Sequence, residues 1–74
     1  MRIYKTELYE IDFHKDHRAK RSVSINHKKS GNEGEYYQLE HVASWVSNRI
    51  PYALSPQEGA KILSKSCEWI YGKE

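Results

Sequence analysis

At 74 residues the chain is one domain at most, too short for a doubly wound nucleotide fold, a TIM barrel or a two-domain enzyme. Only 38% of it is hydrophobic, and six of those residues are Tyr, whose hydroxyl needs a partner when buried, so the stability expected is small, about 3–5 kcal/mol. A net charge of +2 is too low to mark a nucleic-acid binder by its total, and a single cysteine, Cys67, excludes an internal disulfide and leads to the expectation of a cytoplasmic protein.

The predicted elements run as follows. Ile3 to Phe13 is rich in Ile, Tyr, Thr, Leu and Phe, and Tyr9, Ile11 and Phe13 alternate with Glu10 and Asp12, as in a half-buried strand. Lys15 to Ala19 reads as a turn, and Arg21 to His27 alternates again with Val23 and Ile25 on one face. Residues 3–28 are therefore expected to form an antiparallel hairpin, which needs a cover over its apolar face to be stable in water. Ser30 to Gly34 is a loop by composition, and 35–39 reads either as a short third strand or as the first turn of a helix. A helix is expected over 36–50, with Leu39, Val42, Ala43, Val46 and Ile50 on its buried face, stopped by Pro51.

The last helix, expected over 56–71, has the clearest start. Ser55-Pro56-Gln57-Glu58 is a capping box with Pro at the first helical position, and Gly72 stands where a C-terminal glycine cap belongs. Ala60, Leu63, Cys67 and Ile70 form its expected buried stripe. The fold class is thus α+β: one domain over 1–74, with a two- or three-stranded antiparallel sheet followed by two helices packed on one face. There is no run of apolar residues long enough for a transmembrane span, and the first residues lack the apolar stretch of a signal peptide.

Charge is unevenly distributed. From His14 to Lys29 stand six bases, Lys15, Arg18, Lys20, Arg21, Lys28 and Lys29, against the single acid Asp16, a local net of +5. From Ser30 to the end the net is −2. This basic segment is the first candidate for contact with a partner. Its plainer reading is a set of solvated lysines that keep a sheet edge from aggregating. Gly-aromatic strings, Gly-x-x-Gly clamps and zinc-finger spacing are absent from the sequence.

The histidines offer less. His14 and His17, near Asp12 and Asp16, have two of the ligand types of a divalent site but lack four-ligand spacing, so no metal and no cofactor are expected. His14, His17, Arg18 and Arg21 are also the residue types of a small ribonuclease, with His as acid and base and the cations on the transition-state charge. No motif pairs a base with a nucleophile, so no catalytic residue is assigned and an enzyme is not expected.

Trp45, Tyr52 and Trp69 are the second set of partner-binding candidates. On the expected helix faces both Trp fall beside the buried stripes, and Tyr52 follows the Pro51 turn. Large aromatics in such positions are enriched at interfaces, though core packing is their commonest use. The leading reading is a non-enzymatic binding protein, of the type of phage or mobile-element accessory proteins, that occupies an acidic protein surface on a larger machine. No membrane and no small-molecule substrate are expected. The alternative is a nucleic-acid-binding regulator using residues 14–29, and the third reading is the ribonuclease.

Overall fold

In the computed structural model, which describes residues 2–72, alternating sequence becomes sheet almost throughout the first half of the chain. Four strands, β1 (Arg2–Lys5), β2 (Tyr9–Lys15), β3 (Arg21–His27) and β4 (Gly31–Tyr36), pair in sequence order as an antiparallel meander. Two helices follow, α1 (Leu39–Ser47) and α2 (Pro56–Ile70). The α+β class and the helices after an antiparallel sheet stand as expected. The sheet has four strands, not two or three.

Of the two strands beyond the expected hairpin, β1 was hidden by local chemistry, and β4 overlaps the short third strand expected at 35–39 but starts earlier, at Gly31. The stretch read as one strand from Ile3 is a hairpin, folded back between Thr6 and Tyr9. The Thr6 amide donates to the Tyr9 carbonyl at 2.9 Å, and the Tyr9 amide donates to the buried Thr6 hydroxyl at 3.1 Å. A threonine side chain thus does the work usually left to Gly, Asn or Pro. The stretch read as a loop from Ser30 to Gly34 is mostly β4. Ile25 faces Gly34 while Asn26 faces Asn32, which leaves Glu33 as the extra residue of a bulge. Gly34 has φ +142°, and a Cβ there would lie 2.6 Å from the Tyr36 hydroxyl, so the ring of Tyr36 requires glycine beneath it.

Tyr9, Ile11, Phe13, Val23 and Ile25 point to one face of the sheet and are buried there under the helices. Val42, Trp45 and Val46 from α1, Leu54 from the connecting turn, and Ile62 and Trp69 from α2 complete the core. α1 is shorter than the expected 36–50. Its N-cap, Gln38, is extended and makes no side-chain cap, and its C-cap is Asn48. Past it the chain turns, with the Ala53 and Leu54 amides both donating to the Arg49 carbonyl.

The α2 start is as the sequence implies. The Glu58 amide donates to the Ser55 hydroxyl at 3.1 Å, and the Glu58 carboxylate accepts from the Ser55 amide at 3.5 Å. Gly72 closes its end with φ +72°, its amide donating a hydrogen bond to the Trp69 carbonyl. The expected buried stripe is displaced by one residue. Gly59, Ile62, Ser66 and Trp69 are the buried positions, whereas Leu63, Cys67 and Ile70 are half-buried and Ala60 is exposed. A stripe drawn on hydropathy passes over small residues, and here Gly59 leaves room for Val46 of α1 and for Ile50 beyond its end. A Cβ on Gly59 would meet Ile50 Cδ1 at 2.7 Å and Val46 Cγ1 at 2.9 Å.

Both tryptophans lie further inward than expected: Trp69 through that displacement on α2, and Trp45 because it joins Val42 and Val46 on the buried face of α1. Trp45 is 5% and Trp69 9% exposed. Trp45 packs edge-on against Tyr9, with ring centroids 4.9 Å apart. Their indole N–H groups are used internally, Trp45 on the Glu33 carboxylate at 3.2 Å and Trp69 on the His14 carbonyl at 3.2 Å. The expected position beside the stripes is therefore corrected for both: they are core residues, placed there because each brings large apolar area and finds a hydrogen-bond acceptor within the fold. No helix among the described residues is long and apolar enough to cross a membrane.

Candidate partner-binding surface

The turn between β2 and β3 is built by Asp16. Its carboxylate oxygen Oδ1 accepts from the Arg18 amide at 2.8 Å and the Lys20 amide at 2.9 Å. Its amide donates to the Lys20 carbonyl and its carbonyl accepts from the Ala19 amide, both at 2.9 Å. Ala19 takes the left-handed conformation that closes the turn, φ 64°. The hydrogen bond from the Lys20 amide holds the Asp16 carboxyl below the ordinary aspartate range; desolvation opposes it, and the Arg18 amide and the electrostatic effect of His17 and Lys20 add to the lowering. The lone acid of the basic segment is thus a structural element, and the bases around it are presented on an ordered turn.

Those bases have different fates. Lys15, Arg18 and Lys20 are exposed. Lys20 places its ammonium 4.9 Å from the centre of the Tyr37 ring. Arg21 is committed to the fold: Nη1 donates to the Trp69 carbonyl at 3.2 Å, and the guanidinium lies 4.3 Å over the Trp69 ring. It thereby holds the C-terminal end of α2 against the start of β3, where a cation also complements the helix dipole. Lys28 and Lys29 stand beyond the other end of β3, in the turn where the His27 ring nitrogen accepts the Lys29 amide. At about 3.3 Å per residue, β3 keeps the two basic groups roughly 20 Å apart. That exceeds two screening lengths at physiological salt, so the segment acts as two separate patches.

The sheet face away from the helices is neither aromatic nor basic. Among the described residues its charged side chains are Lys5 against Glu10, Asp12 and Glu35, with His14 among them, and its one large exposed apolar residue is Ile3. At its centre the fully buried Ser22 donates to Glu35 Oε2 at 2.9 Å, and His14 Nε2 stands 3.1 Å from the same oxygen and 2.8 Å from Ser24 Oγ. The residue types are those of a Ser-His-Glu triad, but the geometry is different. A triad needs the two imidazole nitrogens on different partners. Here one nitrogen meets serine and glutamate together, which makes the cluster a cross-strand tie between β2, β3 and β4. Among the described residues no three His, Cys, Asp or Glu side chains are grouped to hold a metal ion.

An apolar groove lies at the basic turn's end of the molecule. Tyr37, Leu39, Ala43, Ile70 and Tyr71 line it, and its volume is ≈ 480 Å³. Tyr71 is 64% exposed. Lys20, through its contact with Tyr37, and Arg21, through its contact with Trp69, tie the basic turn to this groove. Glu40, with Gln38, stands on the α1 side. Tyr52, the other sequence candidate, is 78% exposed but lies in the turn before α2. The fifteen residues of α2 separate it from the groove by about 22 Å.

The structure therefore brings Lys15, Arg18, Lys20 and Arg21 together, and sets Lys28, Lys29 and Tyr52 elsewhere. Tyr37 and Tyr71 are the aromatics that sequence reasoning missed. Tyr71 had a signal: it is the residue before the capping Gly72, off the buried stripe of its helix. Comparison with protein-family models, curated proteins and solved structures finds no significant match.

Proposed function

We propose that this chain is a non-enzymatic, cytoplasmic binding protein that modulates a larger macromolecular machine by occupying an acidic protein surface on it, in the manner of a phage or mobile-element accessory protein. One observation carries the reading: an ordered basic turn abuts an open, aromatic-lined groove. An ordered turn brings its charges to the partner without a large entropic cost on binding. Lys15, Arg18 and Lys20 steer the encounter, and Tyr37 and Tyr71 supply contact area. The nucleic-acid alternative is less favoured, because the bases fall into two patches and the open sheet face carries more acid than base. The ribonuclease reading is less favoured as well, since His14 is engaged on Glu35 and Ser24 while His17 is on the exposed turn.

The test is capture of partners from cells that make the chain, with and without nuclease, followed by binding kinetics on the captured partner. Reversing Lys15, Arg18 and Lys20 to Glu, with Arg21 left in place because α2 depends on it, is expected to slow association and leave dissociation little changed. Tyr71→Ala is expected to speed dissociation. Loss of the partner on nuclease treatment, or a log K that falls with log salt at a slope of roughly −5 as for six phosphate contacts on duplex DNA, refutes this reading in favour of nucleic acid.

A further inference from the structure

We infer that the groove between the N-terminal end of α1 and the C-terminal end of α2 takes an acidic, amphipathic segment of a protein partner, bound in one direction. The inference rests on the binding-protein reading and names the chemistry of what is bound. Three features point to it. The groove walls are apolar and aromatic, so the occupant presents apolar side chains there. The groove is open, and a free small molecule would stay largely wetted in it, whereas sites for small ligands bury most of the ligand's surface. A segment of a larger protein gains the missing contact from the rim.

The rim sets the charge and the direction. Along one side runs the turn from Lys15 to Arg21, with a net charge of +3 and Lys20 directly over Tyr37. On the α1 side stands Glu40, whose side chain is 80% exposed. Carboxylates of the bound segment therefore lie towards Lys20 and Arg18, and the end that passes Glu40 is neutral or basic. The opposite direction sets like charges against each other at Glu40 and leaves the basic turn without a counter-charge.

A random peptide library displayed on phage, selected on the folded protein and counter-selected on a Lys20→Glu, Tyr71→Ser double variant, tests the inference. Both positions are exposed, and thermal melts confirm that the double variant is folded. The expected consensus has apolar residues flanked on one side by Asp or Glu. A synthetic peptide of that consensus is expected to bind at least about tenfold more weakly to Lys20→Glu than to the parent. It is also expected to shift the amide resonances of Leu39, Ala43, Ile70 and Tyr71. Failure to enrich any sequence, a neutral or basic consensus, or shifts that map to the open sheet face overturns the inference. If peptides map elsewhere while a nuclease-resistant protein partner is captured, the groove assignment falls and the binding-protein reading stands. If the captured partner is lost to nuclease while acidic peptides fill the groove, the reverse holds.

Discussion

Gly59→Ala separates the two faces that α2 can present. Alanine is a better helix former than glycine by about 1 kcal/mol at an interior position. If Gly59 were on the outer face, beside a buried stripe of Ala60, Leu63, Cys67 and Ile70, the substitution would stabilise the protein by about that amount. In the structure Gly59 is buried, and the added methyl would stand 2.7 Å from Ile50 Cδ1 and 2.9 Å from Val46 Cγ1. The Ile50 methyl is the far end of a flexible, half-buried side chain and can rotate away. Val46 is 1% exposed and branched next to the backbone, so it has nowhere to go without moving α1. Overpacking of this kind costs about 1–3 kcal/mol, which outweighs the propensity gain and leaves a net loss of about 1 kcal/mol. In a domain of this size that lowers Tm by about 4–8 °C. The neighbouring exposed Ala60 supplies the control: Ala60→Gly measures the propensity term alone, with an expected loss of about 1 kcal/mol. The assay is thermal or urea unfolding followed by circular dichroism. A Gly59→Ala protein that melts above the parent refutes the packing of α2 on α1 described here.

Ser55→Ala removes the hydroxyl that accepts the Glu58 amide and is expected to cost about 0.5–2 kcal/mol, read as a lower urea midpoint with the slope unchanged. Arg21→Ala, which loses both the bond to the Trp69 carbonyl and the stacking on its ring, is expected to cost about 1–2 kcal/mol; a melt that overlays the parent shows that Arg21 does not hold α2. An NMR titration of the Asp16 carboxyl should show a midpoint below that of an unfolded aspartate. A depressed folded value means that its contribution to stability is present above the unfolded value and is lost as the pH falls through the folded one, so Asp16→Asn should be less sensitive to acid over that window. A midpoint at or above the unfolded value contradicts the hydrogen-bonded turn.

The parts of the fold legible in the sequence are those fixed by neighbours along the chain. The capping box at Ser55 is spelled in four consecutive residues and forms as spelled. β3 runs from Arg21 to His27 as the alternation of Val23 and Ile25 requires. What was not legible depends on residues far apart. The β1–β2 turn carries no turn residue of the usual kind, because the Thr6 hydroxyl replaces one. The first part of β4 is masked by glycines whose purpose appears only once Tyr36 lies over Gly34 and the Glu33 bulge reaches Trp45. The buried face of α2 passes through Gly59 and Ser66, which no hydropathy scale ranks as core. The candidate surface was half legible for the same reason: the basic run is visible as a run, but Arg21 is drawn off to Trp69, Lys28 and Lys29 are carried to the far end of a strand, and the groove exists only where Tyr37 meets the end of α2.

The strictly sequential strand order has a consequence for the order of events in folding. Each strand pairs with its neighbour in the chain, so every loop that closes to build the sheet is short, and short loops close quickly and with little entropic penalty. Among the described residues, the hydrogen bonds of longest range are those that dock the end of α2: the Trp69 indole on the His14 carbonyl, fifty-five residues away, and Arg21 on the Trp69 carbonyl, forty-eight away. These contacts are expected to form last, after the meander and the rate-limiting step. Substitutions at Arg21 should then leave the folding rate nearly unchanged and raise the unfolding rate, seen as a lifted unfolding arm in a denaturant-dependence plot, whereas Ile11→Val and Ile25→Val in the central strands should slow folding. The groove would thus be completed by the final docking event, with one of its walls, at Ile70 and Tyr71, on the segment that lets go first.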